Sequence, residues 1–528
     1  MDMWSHPNRS SHRNIYYALV SFVMILLVAG LLHLKFANKK ITNEPDQSIA
    51  GLIFTNAVSE QEKSLLTPAL EQTLQSQTGD VTVDARFSLE LPSEALLDVY
   101  VPVTHRHTAR QTISFDELKL GTLMLLDTTD SAIEGSLKQY LSLSDQSIVH
   151  IQNFSELEEG AVAVIPLAKL NPQVKLLAID GAYYLESLSA GALFRRATFQ
   201  VEGQEKNFSL SLPEQFTKES ILSIRQTGVT ALTRVMMTKL AQNNDPLYFS
   251  EKIADFLAAS DVTHVSNEVS FKDGCAVNYS VFCSDPRFIE TLKASGVDVV
   301  ELTGNHNNDV GSEYNTKTIN LYHELGWATF GGGLTSDEAR KPFIVEQKDS
   351  KVALLGYNYA DSPGSGAIAK DDQAGANTYD KAQVAEDIKQ ARESADFVIV
   401  DVQYWECYSY PDGYIEFPVC DKPIGEQRSV FREIIDMGAD MVVGTQAHQP
   451  QTFEWYNDKP IYYGLGNLYF DQTQWPGTER GIILTHYFTA GKLLQTQLSP
   501  TRFDKDLQTR LLEDDEATSL LERLHQAR

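Results

Sequence analysis

The stretch Glu301–Gly311, ELTGNHNNDVG, sets a glycine, carboxamides, a histidine and a carboxylate directly behind the apolar run GVDVV. Imidazole, carboxylate and amide oxygens together are donors that borderline divalent cations accept, whereas a hard ion such as Mg²⁺ or Ca²⁺ uses fewer histidines. A histidine also moves protons near neutral pH. The plainer alternative is that Asn305 and His306 only satisfy a turn, since Asn tolerates left-handed backbone and His bonds locally. Company favours the chemical reading. Polar residues gather wherever another apolar run stops: Asn267 and Glu268 after THVS; Asn305, His306, Asn308 and Asp309 after VELTG; Gln403 and Glu406 after VIVDV; Gln446 and His448 after VVGT; Asn467 and Asp471 in GLGNLYFDQ. Open α/β sheets place ligands at strand ends. We therefore expect one pocket, with Asn267, Asn308, Asp309, Gln403, Glu406, Gln446 and Asn467 as substrate-contacting groups.

The elements that must position these residues are legible from punctuation. Across residues 214–500 apolar, β-branched runs (VTHVSNEVSF, VDVVELTG, KVALLGYNY, DFVIVDVQYW, DMVVGTQ, PIYYGLGNLYF) alternate with amphipathic stretches. One helix is predicted after the capping residues Ser284-Asp285 and Pro286 and stops at Gly296; others run through YDKAQVAEDIKQARESA and GEQRSVFREIIDMG. Such alternation predicts an α/β fold around a largely buried sheet. Gly331–Gly333 lacks the Lys-Ser/Thr of a phosphate loop and reads as a turn. Tyr404 and Trp405 serve equally as packing residues or as a substrate platform. Residues 49–204 form a second, smaller α/β unit in which VPVTHRHTARQTISFDELKLGTLMLLD resembles one lobe of a periplasmic solute-binding protein. His105 and His107 there read as solvated loop residues. Residues 501–528 read as a charged amphipathic helical tail, packed on the domain or on a partner.

A chain of 528 residues with 42% hydrophobic side chains predicts two folded units, and a formal charge of −27 argues against a nucleic-acid partner. A polyanionic substrate would need local cations or a metal. Ile15 to Phe36 carries no acidic side chain, a length that suits a ~30 Å hydrocarbon core at ~1.5 Å per residue. We expect an uncleaved single-pass helix at 15–36 between a cytoplasmic tail, 1–14, and a tether, 37–48; a cleaved signal peptide is the alternative. The four cysteines fall in two local groups, Cys275 with Cys283 and Cys407 with Cys420, without CxxC spacing. Two loop-closing disulfides in an oxidising compartment are expected, which places the bulk of the chain outside the cytoplasm, although four cysteines allow about three pairings.

TGNHNNDVG, GADMVVGTQAHQPQ and YYGLGNLYFDQ resemble the signature blocks of the capsule-synthesis CapA family, the poly-γ-glutamate synthesis proteins, and HVSNEVSF stands where that family has an Asn-Leu-Glu block. The resemblance implies a four-layer α/β sandwich of the calcineurin-like metallophosphatase type, a membrane-anchored extracytoplasmic location and a place in a capsule-synthesis membrane complex. Its implied partner is an anionic polyamide or a cell-envelope glycan. Carried over residue by residue, it implies Glu268, Asn305, His306 and His448 as ligands of one divalent metal and His306 and His448 as catalytic groups. Departures from the pattern are definite: Val229 stands where an aspartate is usual, and Gln403, Thr445 and Gln446 stand where histidines are usual. A valine does not coordinate and a glutamine carbonyl is a weak donor, so a two-metal site is not expected. The readings left open are a metal-dependent hydrolase or phosphoesterase and a polymer-binding protein without chemistry.

Overall fold

The computed structural model describes residues 51–528 except 75–78, 145–146, 211, 213–216, 408–419 and 473. The expected tail, membrane helix and tether, 1–14, 15–36 and 37–48, lie outside the described residues. Among the described residues no helix is long and apolar enough to cross a membrane.

The first unit is built on strands β1 (Leu52–Phe54), β2 (Val81–Ser88), β3 (Leu96–His105), β4 (Leu123–Leu126), β5 (Ile148–Ile151), β6 (Val162–Pro166) and β7 (Leu193–Val201), in the spatial order β1-β2-β7-β3-β6-β4-β5. Helices α1 (Glu60–Thr73), α2 (Phe115–Leu120) and α3 (Ser131–Leu141) follow β1, β3 and β4. Each starts on a side-chain cap: Ser59 and Ser114 in capping boxes with Glu62 and Glu117, and Asp130 on the amide of Ala132.

In the second unit β8 (Leu222–Gln226), β9 (Val229–Thr230), β10 (Val262–Asn267), β11 (Val299–Glu301) and β12 (Ala328–Phe330) begin one sheet. The other contains β13 (Phe343–Gln347), β14 (Ser350–Asn358), β15 (Phe397–Cys407), β16 (Met441–Ala447), β17 (Phe453–Tyr456) and β18 (Lys459–Tyr462). After β19 (Asn467–Tyr469), the chain returns to the first sheet as β20 (Arg480–Thr489), β21 (Lys492–Phe503) and β22 (Thr509–Leu511). The spatial orders are β12-β11-β10-β8-β20-β21-β22, with β9 joining β10 and β19, and β13-β14-β15-β16-β18-β17. The centres of both sheets are parallel: β8 with β10, β10 with β11, β14 with β15 and β15 with β16. Parallel strands need crossovers, and the helices supply them: α4 (Arg234–Asn243), α5 (Ile289–Ala294), α6 (Ser312–Glu324), α7 (Lys381–Arg392) and α8 (Gln427–Asp436), before a terminal α9 (Asp514–Gln526).

Strand alternation assigns the layers. Leu222, Ile224, Val262 and Val299 of one sheet meet Val352, Leu354, Ile399 and Val443 of the other in a shared apolar core. The intervening residues face outward: Val265 and Val300 pack under Leu240, Leu292 and Ile319, and Val398 and Val400 under Ile388, Phe431 and Ile434. The result is helix, sheet, sheet, helix. Truncating fully buried Phe431 to alanine removes roughly 3–5 kcal/mol of packing.

The expected helical tail at 501–528 begins later than its sequence suggests. Residues 501–503 finish β21 and β22 adds a further strand, because this stretch continues the antiparallel ladder from β20. Only α9 is helical, and Leu520 and Leu524 close the end of the inter-sheet core. The units touch through β20 and β21: Tyr487 and Leu494 join the first unit's core, and Gln495 bonds Asn171 O, Val174 O and the amide of Leu176. Both local cysteine pairs are disulfides, Cys275–Cys283 and Cys407–Cys420.

Candidate functional site

Between the sheets the side chains are stratified along the strand direction. Val262, Val299, Ile399 and Val443 form an apolar floor. Two residues further on, the same inward positions carry His264, Glu301, Asp401 and Thr445, all at most 3% exposed. Above these, where the strands end, lie Asn305, Gln403, Gln446, Glu268, His306 and His448.

Three carboxamides interlock at the top. Gln403 Nε2 donates to Gln446 Oε1 at 2.7 Å and to Asn305 Oδ1 at 3.1 Å, and Gln446 Nε2 reaches the same Asn305 oxygen at 3.5 Å. Gln446 holds this position with φ of 75°, the left-handed region that costs a side chain about 1–2 kcal/mol. Gln403 Oε1 is buried without a hydrogen-bond partner among the described residues. Gly304 permits the turn carrying Asn305 to sit here, since a Cβ on it would lie 2.6 Å from Glu268 Cα.

His306 Nδ1 and Asp309 Oδ2 are 2.8 Å apart, and the same oxygen accepts from the amide of Phe282, whose ring lies 4.3 Å from the imidazole. The carboxylate therefore orients the ring with its proton on Nδ1. Burial alone would depress His306, but Asp309, then Glu268 and Glu406, outweigh it and raise its pKa above the ordinary value. His448 has the opposite fate. Asn467 donates its Nδ2 to Thr478 O, so its Oδ1 accepts from His448 Nδ1 at 3.0 Å, leaving Nε2 as the acceptor of a neutral ring. Burial pushes His448 down to about 4, against the pull of Glu406. Glu268, 2% exposed, is pushed by burial up to about 8, with His306 opposing and Glu406, Glu301 and Asp309 reinforcing. These mutual influences show that Glu268, His306, Glu406 and His448 share one neighbourhood. Near neutral pH it holds a protonated carboxyl, a neutral imidazole and an imidazole biased towards its charged form, the divergence that separates acids from bases.

Other expected residues have structural roles. Asn267 turns to the helix side, donating to Val269 O and Tyr322 Oη. Asn308 donates to Gly366 O and Ala374 O and accepts from Asn315, so it pins a neighbouring loop. Asp471 pairs with buried Arg234, whose Nε lies 2.7 Å away, and takes the amide of Val235. Tyr404 is buried and stacks on Tyr359, whereas Trp405 is 46% exposed.

Beneath these carboxamides and imidazoles lies a cluster that the sequence alone did not single out. His264 Nε2 stands 3.6 Å from Glu301 Oε2 and 3.5 Å from Asp401 Oδ2. Neither His264 Nε2 nor Glu301 Oε2 has a hydrogen-bond partner among the described residues. Thr303 and Thr445 hydroxyls serve Glu301 Oε1, and Gln226 Nε2 donates to both Asp401 oxygens while its Oε1 faces His486 Nε2 at 2.9 Å. Burial, then Glu301, drives the Asp401 carboxyl well above its ordinary value. The sequence signal was modest: one ionisable residue inside each of the runs VTHVS, VVELTG and VIVDV.

The donor sets decide which place suits a metal. Among the described residues, the group of three His, Cys, Asp or Glu side chains whose ligand atoms lie within 4.8 Å of one another is His264, Glu301 and Asp401. Glu268, His306 and His448 do not form such a group. Val229 packs with Phe282 and Phe470, an apolar setting for the position where an aspartate would be needed, and two of the carboxamide oxygens, Asn305 Oδ1 and Gln446 Oε1, already accept from neighbouring amides. The deeper trio fits one cation: its separations are too long for hydrogen bonds and match the roughly 3.4 Å between ligands each ~2.1 Å from a tetrahedral ion. The amide of Thr227 faces His264 Nδ1 at 3.4 Å, which keeps the proton on Nε2. Ligation would move that proton and give up this long contact.

Two facing sheets wrapped by helices, with a cluster of polar side chains at the strand ends, define an α/β sandwich of mixed sheets. Residues 224–472 match the family described as bacterial capsule synthesis protein PGA_cap, which supports membership of the CapA family. The capsule biosynthesis protein CapA of Bacillus anthracis is 27% identical over 203 residues, 38% of this chain and 46% of that protein. The PGA biosynthesis protein CapA of Bacillus subtilis is 26% identical over 212 residues, 40% of this chain and 52% of that protein. The chain thus spans about half the length of these relatives. Among solved structures, the calcineurin-like phosphoesterase YfkN of Bacillus subtilis is similar at 13% identity and a TM-score of 0.32, covering 58% of this chain and 97% of that one.

Proposed function

We propose that the protein acts in making, releasing or anchoring an anionic polyamide capsule of the poly-γ-glutamate type, as a membrane-anchored protein whose folded part lies outside the cytoplasm. The observation that carries the reading is the Asn305–Gln403–Gln446 carboxamide cluster. An amide polymer presents one N–H and one C=O per linkage, and neutral carboxamides match both without the desolvation cost of a charge. Gln403 Oε1 is placed to accept an N–H. His306, biased towards the charged form, supplies positive potential for the polymer's carboxylates.

Proton movement is also within reach. His448 Nε2 is a neutral acceptor, while His306 Nε2, opposite the atom fixed by Asp309, is a donor; together they suit acid–base chemistry at an amide carbonyl. A cation on His264, Glu301 and Asp401 would offset two buried carboxylates and make the floor of the pocket more positive. Support for the location comes from the apolar run Ile15–Phe36 and the two disulfides.

The test is equilibrium titration of the full chain with γ-linked glutamyl oligomers, α-linked oligomers of equal length and a neutral glycan. Selective binding of the γ-linked chain supports the reading. Equal affinity for both peptide linkages, or none for either, overturns it.

A further inference from the structure

The first unit holds a cleft of about 620 Å³ that is remote in function from the strand-end pocket, a volume in the range of small-molecule sites. It opens where the chain leaves β1 for α1, β4 for α3, and the end of β6. Its floor is β3, whose residues Asp98 and Tyr100 project to the same side by strand alternation. Leu65, Leu97, Leu126 and Ile133 give it an apolar wall, and Thr128, Thr129 and Lys169 a polar rim.

Two helix N-termini line this cleft, yet they do not make it an anion site. Ser59 accepts from the amide of Glu62 while the Glu62 carboxylate takes the amide of Ser59, and Asp130 takes the amide of Ala132. The chain's own acids have occupied the positions an incoming anion would need. Arg195, fully buried, bonds Glu62 and Ala57 O, with Nη2 at 3.0 Å from Glu62 Oε2, while its Nη1 has no hydrogen-bond partner among the described residues.

What is left over on the cleft's floor is acidic. Asp98 accepts only the amide of Val99, at 2.8 Å, and burial pushes its carboxyl up to about 6. Tyr100 is 3% exposed and lines the cleft. Asp98 feels the Arg195 guanidinium, but that cation is held by Glu62, and the carboxylate keeps acceptor capacity for a further donor on the cleft side.

We propose that this cleft binds a small solute through a primary ammonium group seated between the Asp98 carboxylate and the Tyr100 hydroxyl, with the solute's apolar part against Leu65, Leu97, Leu126 and Ile133. A zwitterionic amino acid and a simple amine share this chemistry. The former adds a carboxylate for Lys169.

Calorimetric titration of the full-length protein with n-butylamine, L-alanine and inorganic phosphate tests it. Binding of at least one ammonium compound is expected, and none of phosphate; preference for L-alanine identifies an amino acid as the source, preference for butylamine an amine. Asp98→Asn should weaken the binding at least about tenfold, the loss of one charge-assisted contact, and Tyr100→Phe severalfold, each with a wild-type unfolding midpoint. Gln403→Ala should leave it unchanged, which separates this site from the polymer pocket. Phosphate binding, silence from both ammonium probes on folded wild-type protein, or full affinity in both cleft variants overturns the proposal.

Discussion

Gln403 Nε2 lies 2.7 Å from Gln446 Oε1, so two carboxamides on adjacent parallel strands are locked together at the sheet's carboxyl end. Gln446 reaches this contact only by adopting φ of 75°. Strain kept at a binding position is expected to be repaid by function. Gln446→Gly should therefore stabilise the backbone by about 1 kcal/mol, less what the lost hydrogen bond contributes, while polymer affinity falls. Urea unfolding and oligomer titration measure the two sides. A variant that binds the polymer as wild type does would show that the strain serves packing alone.

Stability should peak on the acid side of neutrality. Glu268 titrates at about 8 in the fold against an ordinary 4.5, so between those values the folded chain keeps a proton that the unfolded chain has lost, and stability falls as pH rises through the window. His448 titrates at about 4 against 6.5, so below 6.5 the unfolded chain gains a proton that the folded ring refuses, and stability falls as pH drops. Glu268→Gln should remove much of the alkaline decline. Unfolding free energies at about pH 6 and pH 8 that stay parallel in wild type and variant would contradict this.

The order of elements was readable because apolar runs, caps and glycines all point the same way: Asp285-Pro286 starts a short 3₁₀ turn leading into α5, Asp380 caps α7, and Gly438 ends α8. The gathering of polar residues at the strand ends was readable for the same reason. Which of two neighbours enters it was not, because Asn267 and Glu268 differ only in which way the strand's last residues point. His264, Glu301 and Asp401 escaped notice because a lone polar residue in an apolar run has no spacing of its own; only the pairing of two sheets joins them. The C-terminal strands were hidden by charged residues on an edge hairpin that alternates weakly.

Asp309 should govern the titration of His306. Its carboxylate is the principal cause that raises the ring against burial. In Asp309→Asn the imidazole should titrate below the free-histidine value, since burial then acts with less opposition. Carbon-bound proton shifts of His306 followed by NMR give the midpoint, and an unchanged midpoint would remove Asp309 from this role.

Metal analysis of natively purified protein should find a cation bound through the inter-sheet trio. Glu301→Gln should abolish the binding and the accompanying rise in melting temperature, while His306→Ala should retain both. Loss of metal in His306→Ala with retention in Glu301→Gln would move the ion to the strand-end pocket.

The central claim is that the interlocked carboxamides hold an amide polymer. Its most direct measurement is the affinity of a γ-linked glutamyl oligomer for the wild-type chain and for a variant carrying Gln403→Ala and Gln446→Ala together. A loss of about tenfold or more, with an unfolding midpoint close to wild type, is the predicted result. Undiminished affinity in a folded double variant would contradict the account.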